Sequence, residues 1–183
     1  MMAKEKKLVE IEVPEKVEAK LDDGIIFVKG PKGECGKKIS NPLIGIEIKE
    51  GKVILTPKTS RKISKMIIGT LRAHIKNMFN GVKNGHVYNL KICSGHFPMN
   101  VSVNKNEFII KNYFGEKIPR ILKIKSGVKV NIEGDAVTVE GVDKELCGQV
   151  AADIERLASR KGYDMRVMQD GIYITNKGGK EIR

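Results

Sequence analysis

Ile26-Phe27-Val28-Lys29-Gly30 and Phe108-Ile109-Ile110-Lys111-Asn112 are two versions of one short stretch of sequence. Each is rich in β-branched and aromatic residues, which is typical of a β-strand. A glycine–glutamate pair follows each copy, first as Gly33-Glu34 and then as Gly115-Glu116. The repeated strand and turn indicate that one folding unit occurs twice in the chain.

The similarity extends outward from this stretch in the same order in both halves. Upstream, Val13-Pro14 matches Phe97-Pro98, and downstream the segment 51–55 matches the segment 134–139. Four helical positions then align in order, Gly69, Ala73, Ile75 and Met78 with Gly148, Ala152, Ile154 and Leu157. Chance similarity between two β-rich stretches is the alternative. We predict tandem domains at residues 8–83 and 84–183.

Short strands are predicted to make up most of each copy. In the first copy the strand-like segments are Val17–Lys20, Gly24–Lys29, Ile44–Lys49 and Lys52–Thr56. Glu50-Gly51 and Glu133-Gly134-Asp135 are predicted hairpin turns. A strand at Val87–Cys93 is predicted to pass from one unit toward the next. The segment 30–38 fails the phosphate-loop pattern GxxxxGK[ST], so a basic β-turn loop is predicted there.

One helix is predicted to follow the strands in each copy. The first runs from about Thr59 to Phe79 and ends at Asn80-Gly81, since asparagine and glycine favour helix ends. The second runs from about Val142 to Lys161 and ends at Gly162. The predicted fold class is α+β, with two duplicated domains, each a mostly antiparallel sheet packed by one main helix.

Composition and charge favour a nucleic-acid partner. The chain has 183 residues, a hydrophobic fraction of 40% and a net charge of +12. A positive surplus of that size attracts polyanions, with an anionic membrane as the weaker alternative. The three cysteines lie far apart and form no CxxC motif, which is typical of a reducing cytosol. No apolar run is long enough for a membrane span, and we expect no signal peptide.

The positive charge is concentrated in and around the first predicted helix. No Asp or Glu occurs from Gly51 to Asn106, which holds ten Lys and Arg residues. On a helix, six of these share an arc of roughly 100°: Lys58, Arg61, Lys62, Lys65, Arg72 and Lys76. The apolar stripe lies on another arc: Ile63, Ile67, Leu71, Ile75 and Met78. Like charges on one helix face repel, so RNA phosphates are the predicted partners. A merely solvated face is the alternative.

Further cations are predicted to contact RNA in the second half. The second helix mixes acidic and basic residues until Arg160-Lys161. The tail is basic and glycine-rich, with Lys177, Gly178, Gly179, Lys180 and Arg183 as candidate contacts. Glycine lets the backbone approach a sugar-phosphate chain closely, while Lys and Arg supply charge. A frayed terminus is the alternative.

Motifs for catalysis, metal binding and base stacking on a sheet are missing from the sequence. His74, His86 and His96 lack metal-site spacing, and neither GxSxG nor HExxH occurs. His96 near Cys93 suggests either a Cys–His pair or a strand end. With 5% aromatic residues and no RNP-type run, recognition of RNA backbone and shape is favoured over stacking on a sheet face. We expect no enzyme activity, no cofactor and no small-molecule substrate.

The chain resembles the universal large-subunit ribosomal protein six family, in its archaeal or eukaryotic form. The resemblance covers nearly the whole chain and is carried by 28–34, by 69–78 with Gly81-Val82, by 110–117, and by Gln149 leading to 170–174. The proline- and tyrosine-containing basic tail motif of bacterial members is missing. Contacts by the last residues therefore cannot be copied from them.

The resemblance implies a structural protein of the cytoplasmic ribosome that does no chemistry. It implies binding to large-subunit ribosomal RNA (rRNA), mainly through the second domain, near the sarcin–ricin loop and the translation-factor docking site. Neighbouring large-subunit proteins are the implied protein partners. Lys111 and Lys117 lie on either side of Gly115 in one loop, and both are predicted to contact the RNA. The charge pattern favours the first helix, whereas the resemblance favours the second domain. A free RNA chaperone or regulator is the competing function.

Overall fold

The computed structural model describes residues 8–39, 41–49, 51–59, 61–164 and 166–182, which form two compact units. The first unit extends to Gly85, and the second begins at His86. In the described part of the chain each unit has one α-helix, and every strand pairing is antiparallel. The predicted α+β class with a duplicated architecture is confirmed, although each unit has two sheets where one was expected.

In its described residues, the first unit contains six strands followed by a long helix. They are β1 (Val9–Glu12), β2 (Glu18–Asp22), β3 (Ile25–Gly30), β4 (Gly33–Lys38), β5 (Ile44–Lys49), β6 (Lys52–Pro57) and α1 (Lys62–Asn84). The strands form two three-stranded sheets, in the orders β1-β6-β5 and β2-β3-β4. Helix α1 packs against both sheets. Fully buried apolar residues on both sheets and the helix, among them Ile26, Leu55 and Ile75, form this core.

Over the part that the structure describes, the second unit contains eight strands and a shorter helix. They are β7 (His86–Cys93), β8 (Asn100–Asn104), β9 (Glu107–Lys111), β10 (Arg120–Lys123), β11 (Val128–Glu133), β12 (Ala136–Gly141), α2 (Lys144–Leu157), β13 (Gly171–Lys177) and β14 (Lys180–Glu181). The sheets have the orders β11-β12-β7-β13-β14 and β10-β9-β8. Helix α2 packs against strands of both sheets.

Strand order shows how the two units correspond. The meander β2-β3-β4 matches β8-β9-β10, and the repeated stretches at Ile26 and Phe108 lie in the middle strands β3 and β9. The order β1-β6-β5 matches β7-β12-β11. The second unit adds β13 and β14 beyond β7. Strand β7 therefore lies wholly inside the second unit, at the centre of its larger sheet.

The predicted loop at residues 30–38 is wrong in most of its length. Only residues 31 and 32 turn, and β4 pairs with β3 from Gly33 opposite Gly30 to Lys38 opposite Ile25. Gly36 lies opposite Phe27, where a Cβ atom would come within 2.9 Å of the phenyl ring. That glycine suggested a loop, but it leaves room for an aromatic side chain across a strand pair.

The predicted ends of both helices are also wrong. Helix α1 continues through Asn80-Gly81 because Val82 is fully buried, and it ends at Gly85, whose φ is 77°. Helix α2 begins after Asp143, whose side chain accepts the N–H of Glu145 at 2.8 Å, and it ends at Leu157. The predicted turn at Gly134 is present between β11 and β12. For the turn at Glu50-Gly51, Glu50 lies outside the described residues.

The first turn of α1 is rotated relative to the predicted apolar stripe. Ile63 is 54% exposed, whereas Ser64 is buried and its hydroxyl lies 2.7 Å from that of Thr59. The buried face continues through Ile68, Ile75 and neighbouring positions. The partnered hydroxyl of Ser64 explains how a polar residue occupies the buried face.

Candidate nucleic-acid interface

A tight turn after β9 positions the aromatic side chains at one end of the second unit. Asn112 and Phe114 both adopt left-handed backbone conformations, with φ of 60° and 49°. For Phe114 this costs about 1–2 kcal/mol, so neighbouring contacts must hold the turn. The Asn112 side-chain amide donates to the carbonyl of Pro98 at 3.0 Å. The turn leaves Tyr113 buried and directs Phe114 toward the surface, where it is half-buried.

Two side chains tie this turn to the C-terminal end of α2. The Tyr113 hydroxyl donates to the carbonyl of Ala158 at 2.7 Å. Arg120 donates to the carbonyls of Leu157 and Ser159 at 2.6 and 3.1 Å, and its guanidinium lies 4.2 Å from the centre of the Tyr113 ring. Carbonyls at a helix end lack helical partners and carry partial negative charge. A half-buried cation therefore closes α2 and explains why it ends before Gly162.

Asp170 fixes a second loop at the same end of the unit. Its carboxylate accepts the backbone N–H groups of Gly95, His96 and Phe97 at 2.8, 3.1 and 2.9 Å. The Nδ1 atom of His96 lies 3.2 Å from the same carboxylate. Burial alone would raise the pKa of Asp170, but these donors hold it below its usual 3.8. The carboxylate therefore stays ionised and holds Phe97 in place.

Three rings and one guanidinium meet between these loops, and we call Phe97, Phe114, Arg160 and Tyr163 the ring cluster. The Phe114 ring centre lies 5.7 Å from that of Phe97 and 5.8 Å from that of Tyr163. The Arg160 guanidinium lies 5.2 Å from the centre of Phe114 and 4.7 Å from that of Tyr163. These are cation–π distances. Within the described residues, no carboxylate forms an ion pair with Arg160.

A cavity of about 150 Å³ opens beside the ring cluster. It is lined by Phe114, Tyr163, Arg160, Tyr113, Tyr173, Met168, Ala158, Ser159, Glu155 and Asp170. Small-molecule sites usually measure about 300–1,000 Å³, so this cavity suits one planar ring system rather than a whole cofactor. Its walls are aromatic and its two carboxylates are hydrogen-bond acceptors.

Four of the predicted RNA-binding cations lie on the segments that build this end of the unit. Lys111 ends β9, Lys117 follows the tight turn, and Arg160 and Lys161 follow α2; all four are exposed. The tight turn and the segment after α2 are held together through Tyr113 and Arg120. The structure therefore brings these two predicted cationic segments together around the ring cluster.

The predicted tail contacts lie elsewhere, on a hairpin. Lys177 pairs with Lys180, and Gly178 and Gly179, with φ of 56° and 91°, form the two-residue turn between them. Such a turn requires positive φ at both positions, which explains both glycines. Lys177 pairs with Tyr88 at one end of β7, while Gly171 pairs with Cys93 at the other. Six residues of strand separate the hairpin from the ring cluster, roughly 20 Å. Arg183 lies outside the described residues.

The predicted cationic face of the first unit is fully exposed. Lys58 follows β6, Arg61 precedes α1, and the others lie on the helix: Lys62, Lys65, Arg72 and Lys76. Arg72 and Lys76 share a shallow groove with Glu10 and Glu12 of β1. Lys52 already pairs with Glu10 at 3.3 Å. Part of the basic face of α1 therefore lies beside acidic residues of β1, a strand that is far from the helix in sequence but adjacent to it in space.

The remaining candidates for chemistry are held in structural contacts. His96 pairs with Asp170 rather than with Cys93, and His74 lies 3.1 Å from the Lys37 amine. Burial raises the pKa of the Cys147 thiol to about 11, which keeps it protonated. Within the described ranges, no three His, Cys, Asp or Glu side chains gather as a metal site, and no helix is long and apolar enough to cross a membrane.

The family model of ribosomal protein L6 matches residues 13–85 and 97–171. The chain belongs to the ribosomal protein L6 family. The "Large ribosomal subunit protein uL6" of Methanobrevibacter smithii is 45% identical over 168 residues, covering 92% of this chain and 94% of the relative. The protein of the same name from Methanosarcina mazei is 42% identical over 167 residues, covering 91% and 95%.

The two matched segments correspond to the two copies that the internal repeat predicts. The second segment includes Lys111, Lys117, Arg160 and Lys161, and it ends at residue 171, before the hairpin. The family pattern thus includes the ring-cluster end of the second unit and leaves out the hairpin residues. The resemblance to this family, first suggested by short motifs, is confirmed.

Sequence reasoning missed the ring cluster and the groups that build it. Phe97, Phe114 and Tyr163 come from three separate segments, and no spacing rule connects them. Asp170 and Arg120 were also missed, because their partners are backbone groups far away in sequence. One available signal was Asn112-Tyr113-Phe114-Gly115, since Asn and Gly both tolerate the left-handed conformations of a tight turn.

Proposed function

We propose that this chain is a structural component of the large ribosomal subunit in the cytoplasm and binds large-subunit rRNA. The carrying observation is its membership of the ribosomal protein L6 family along most of its length. Exposed cations without chemistry nearby support a binding role rather than an enzymatic one. Neighbouring large-subunit proteins are the expected further partners.

The ring-cluster end of the second unit is the proposed main RNA contact. It supplies Lys111, Lys117, Arg160 and Lys161 on two anchored segments. Cations held on rigid segments lose less conformational freedom on binding than cations on flexible ones. Within the subunit, the proposed location is near the sarcin–ricin loop and the site where translation factors dock.

The hairpin and helix α1 are proposed as additional contacts of lower weight. Lys177 and Lys180 extend from a hairpin whose turn is explained by backbone geometry alone. At the start of α1, Arg61, which precedes the helix, and Lys62 and Lys65 within it lie outside the groove of Glu10 and Glu12. Since α1 has no acidic side chain in its first turn, phosphates are the most suitable counter-charges there.

Sedimentation tests this function directly. The native protein is expected to co-migrate with the large subunit through a moderate-salt wash, because assembly with RNA buries many contacts at once. A free RNA chaperone or regulator would instead leave the subunit in the wash and bind unrelated RNAs with similar affinity. Recovery of the protein only in the ribosome-free fraction would overturn the proposal.

A further inference from the structure

The ring cluster has the composition of a site for an unpaired nucleobase. Phe97 and Tyr163 are 41% and 46% exposed, although each contains a large apolar ring. Aromatic faces beside cations are what proteins use to stack single-stranded bases, because every base has a π-face. Single exposed apolar residues are common on protein surfaces, but three aromatic rings grouped at one exposed place indicate a binding site.

The backbone holds Phe114 at the cluster against a conformational cost. Its φ of 49° lies in a region that phenylalanine rarely occupies. The turn is retained because Tyr113 binds Ala158 and Asn112 binds Pro98 on either side of it. Strain that is over-determined by its surroundings is a frequent mark of ligand-binding positions. Here its effect is to place one ring between the other two.

Arg160 supplies the charge that a nucleotide brings with it. Its guanidinium lies over Phe114 and Tyr163 and forms no ion pair within the described residues, so its N–H groups can bind a phosphate. The carboxylates of Glu155 and Asp170 lie in the cavity wall. Both repel a phosphate, but the Asp170 oxygens are already occupied by the backbone N–H groups of residues 95–97. Glu155 is therefore the carboxylate that accepts a hydrogen bond from the amino or imino group of a base. The carboxylates therefore favour the base in the cavity, and Arg160 favours the phosphate outside it.

We propose that the ring cluster binds one unpaired base of large-subunit rRNA, stacked on Phe114 and Tyr163, with Arg160 on its phosphate. The inference rests on the proposed function and deepens it. It adds contact with one base to a recognition that otherwise uses only the sugar-phosphate backbone of the rRNA. The cavity of about 150 Å³ has room for a single ring system. Phe97, which does not line the cavity, packs against Phe114 with the two ring centres 5.7 Å apart.

A tryptophan reporter gives a direct test, because the chain contains no tryptophan. The variants are Tyr163→Trp, inside the cluster, and Ile121→Trp, on β10 at a position that is 51% exposed. The probe is deproteinised large-subunit rRNA. We expect the emission of Tyr163→Trp to be quenched on binding, since bases stacked on indole quench it, and the emission of Ile121→Trp to change little. Equal quenching of both, or unquenched Tyr163→Trp in a complex that still forms, would overturn the proposal.

Affinity provides a second, independent readout. Loss of stacking in Tyr163→Leu should weaken rRNA binding by about 5- to 150-fold, whereas Tyr163→Phe, which retains the ring, should bind nearly as the wild type does. The salt dependence should be unchanged, because no charge is removed. Wild-type affinity of Tyr163→Leu for the free rRNA would overturn the inference. If this variant bound free rRNA normally but entered the subunit poorly, the rings would contact a protein instead of a base, which would overturn the inference as well. Co-sedimentation of the unmodified protein with the subunit tests the proposed function separately, so the two failures are distinguishable.

Discussion

The Arg120 guanidinium and the Glu116 carboxylate form two parallel hydrogen bonds, Nε to Oε2 at 2.8 Å and Nη2 to Oε1 at 2.7 Å. The hydrogen bond from Arg120 holds the pKa of Glu116 below its usual 4.5. Since the remaining nitrogen of Arg120 binds the end of α2, one side chain joins the tight turn to the helix. The geometry of the ring cluster depends on this joint.

Replacing Arg120 by lysine should destabilise the second unit. Lysine keeps the charge but cannot form the planar pair with Glu116 while also binding Leu157 and Ser159. We expect a loss of about 1–3 kcal/mol in the free energy of unfolding, measured by urea denaturation. Arg166→Lys is the matched control, because Arg166 pairs with Asp164 on the surface and should change nothing measurable. Equal stability of the two variants would contradict the role of Arg120.

Stability should fall at acidic pH through Asp170. Because the folded pKa of this carboxyl lies below its usual 3.8, the unfolded chain binds a proton more readily. The contribution is therefore complete above about pH 5 and is lost as the pH falls through the folded pKa. Asp170→Asn should cost about 2–3 kcal/mol at pH 7 and should flatten the pH dependence of the urea midpoint below pH 5. An unaltered pH profile in this variant would show that another group controls it.

Two glycines of the first unit should respond to alanine in opposite directions. At Gly30 a Cβ atom would lie 2.9 Å from the Cβ, Cγ2 and carbonyl oxygen of Val82, so Gly30→Ala should cost about 1–3 kcal/mol. At Gly69, within α1, nothing lies within 4 Å of the added Cβ. Gly69→Ala should therefore stabilise the helix by about 0.5–1 kcal/mol. Thermal melts followed by circular dichroism would measure both changes, and the same sign for both would refute the close approach of Gly30.

The basic face of α1 should reveal itself through salt dependence. If Arg61, Lys65, Arg72 and Lys76 each contact one phosphate, replacing all four by glutamine flattens the log-affinity against log-salt plot by roughly 3 to 4 units. The probe is a large-subunit rRNA fragment, and a circular dichroism melt checks the fold. Because Arg72 and Lys76 lie near Glu10 and Glu12, the pair Arg61 and Lys65 should account for more of the change. An unchanged slope would mean that this face points toward solvent or another protein.

The hairpin is best tested by substitution rather than by truncation. Deleting residues 176–183 would remove β14 and the end of β13, so weak assembly could arise from damage to the sheet. Lys177→Gln with Lys180→Gln retains the strand pairing and the glycine turn. If both lysines contact phosphate, the salt slope should flatten by roughly 2 units, and the variant should lose to intact protein in a subunit reconstitution competition. Equal incorporation in that competition would exclude the hairpin as an RNA contact.

Local patterns predicted the repeated strand and the duplication because each depends on neighbours in sequence. Along β3 and β9, buried residues alternate with more exposed ones as expected, and Ile26 and Phe108 are both fully buried. Helix ends were less predictable, because they depend on contacts with distant residues. Helix α1 continues past Gly81 because Val82 packs in the core, and α2 ends where Arg120 donates hydrogen bonds to its last carbonyl groups. The ring cluster was beyond sequence reasoning, because its convergence depends on Asp170 and on the left-handed Phe114.

The central position of β7 has a consequence for how the protein is made. Strand β7 opens the second unit, yet one of its partners, β13, begins only at Gly171, near the end of the chain. The strands and helix of the first unit are complete by Gly85. During synthesis the first unit can therefore fold while the second is still emerging, since domains generally fold as units from the N-terminus. Strand β7 must therefore wait with one unpaired edge until β13 has been synthesised, because the two strands are far apart in sequence. The larger sheet of the second unit, and with it the Asp170 contact that holds Phe97 in the ring cluster, therefore forms only after the whole first unit and α2 have been made.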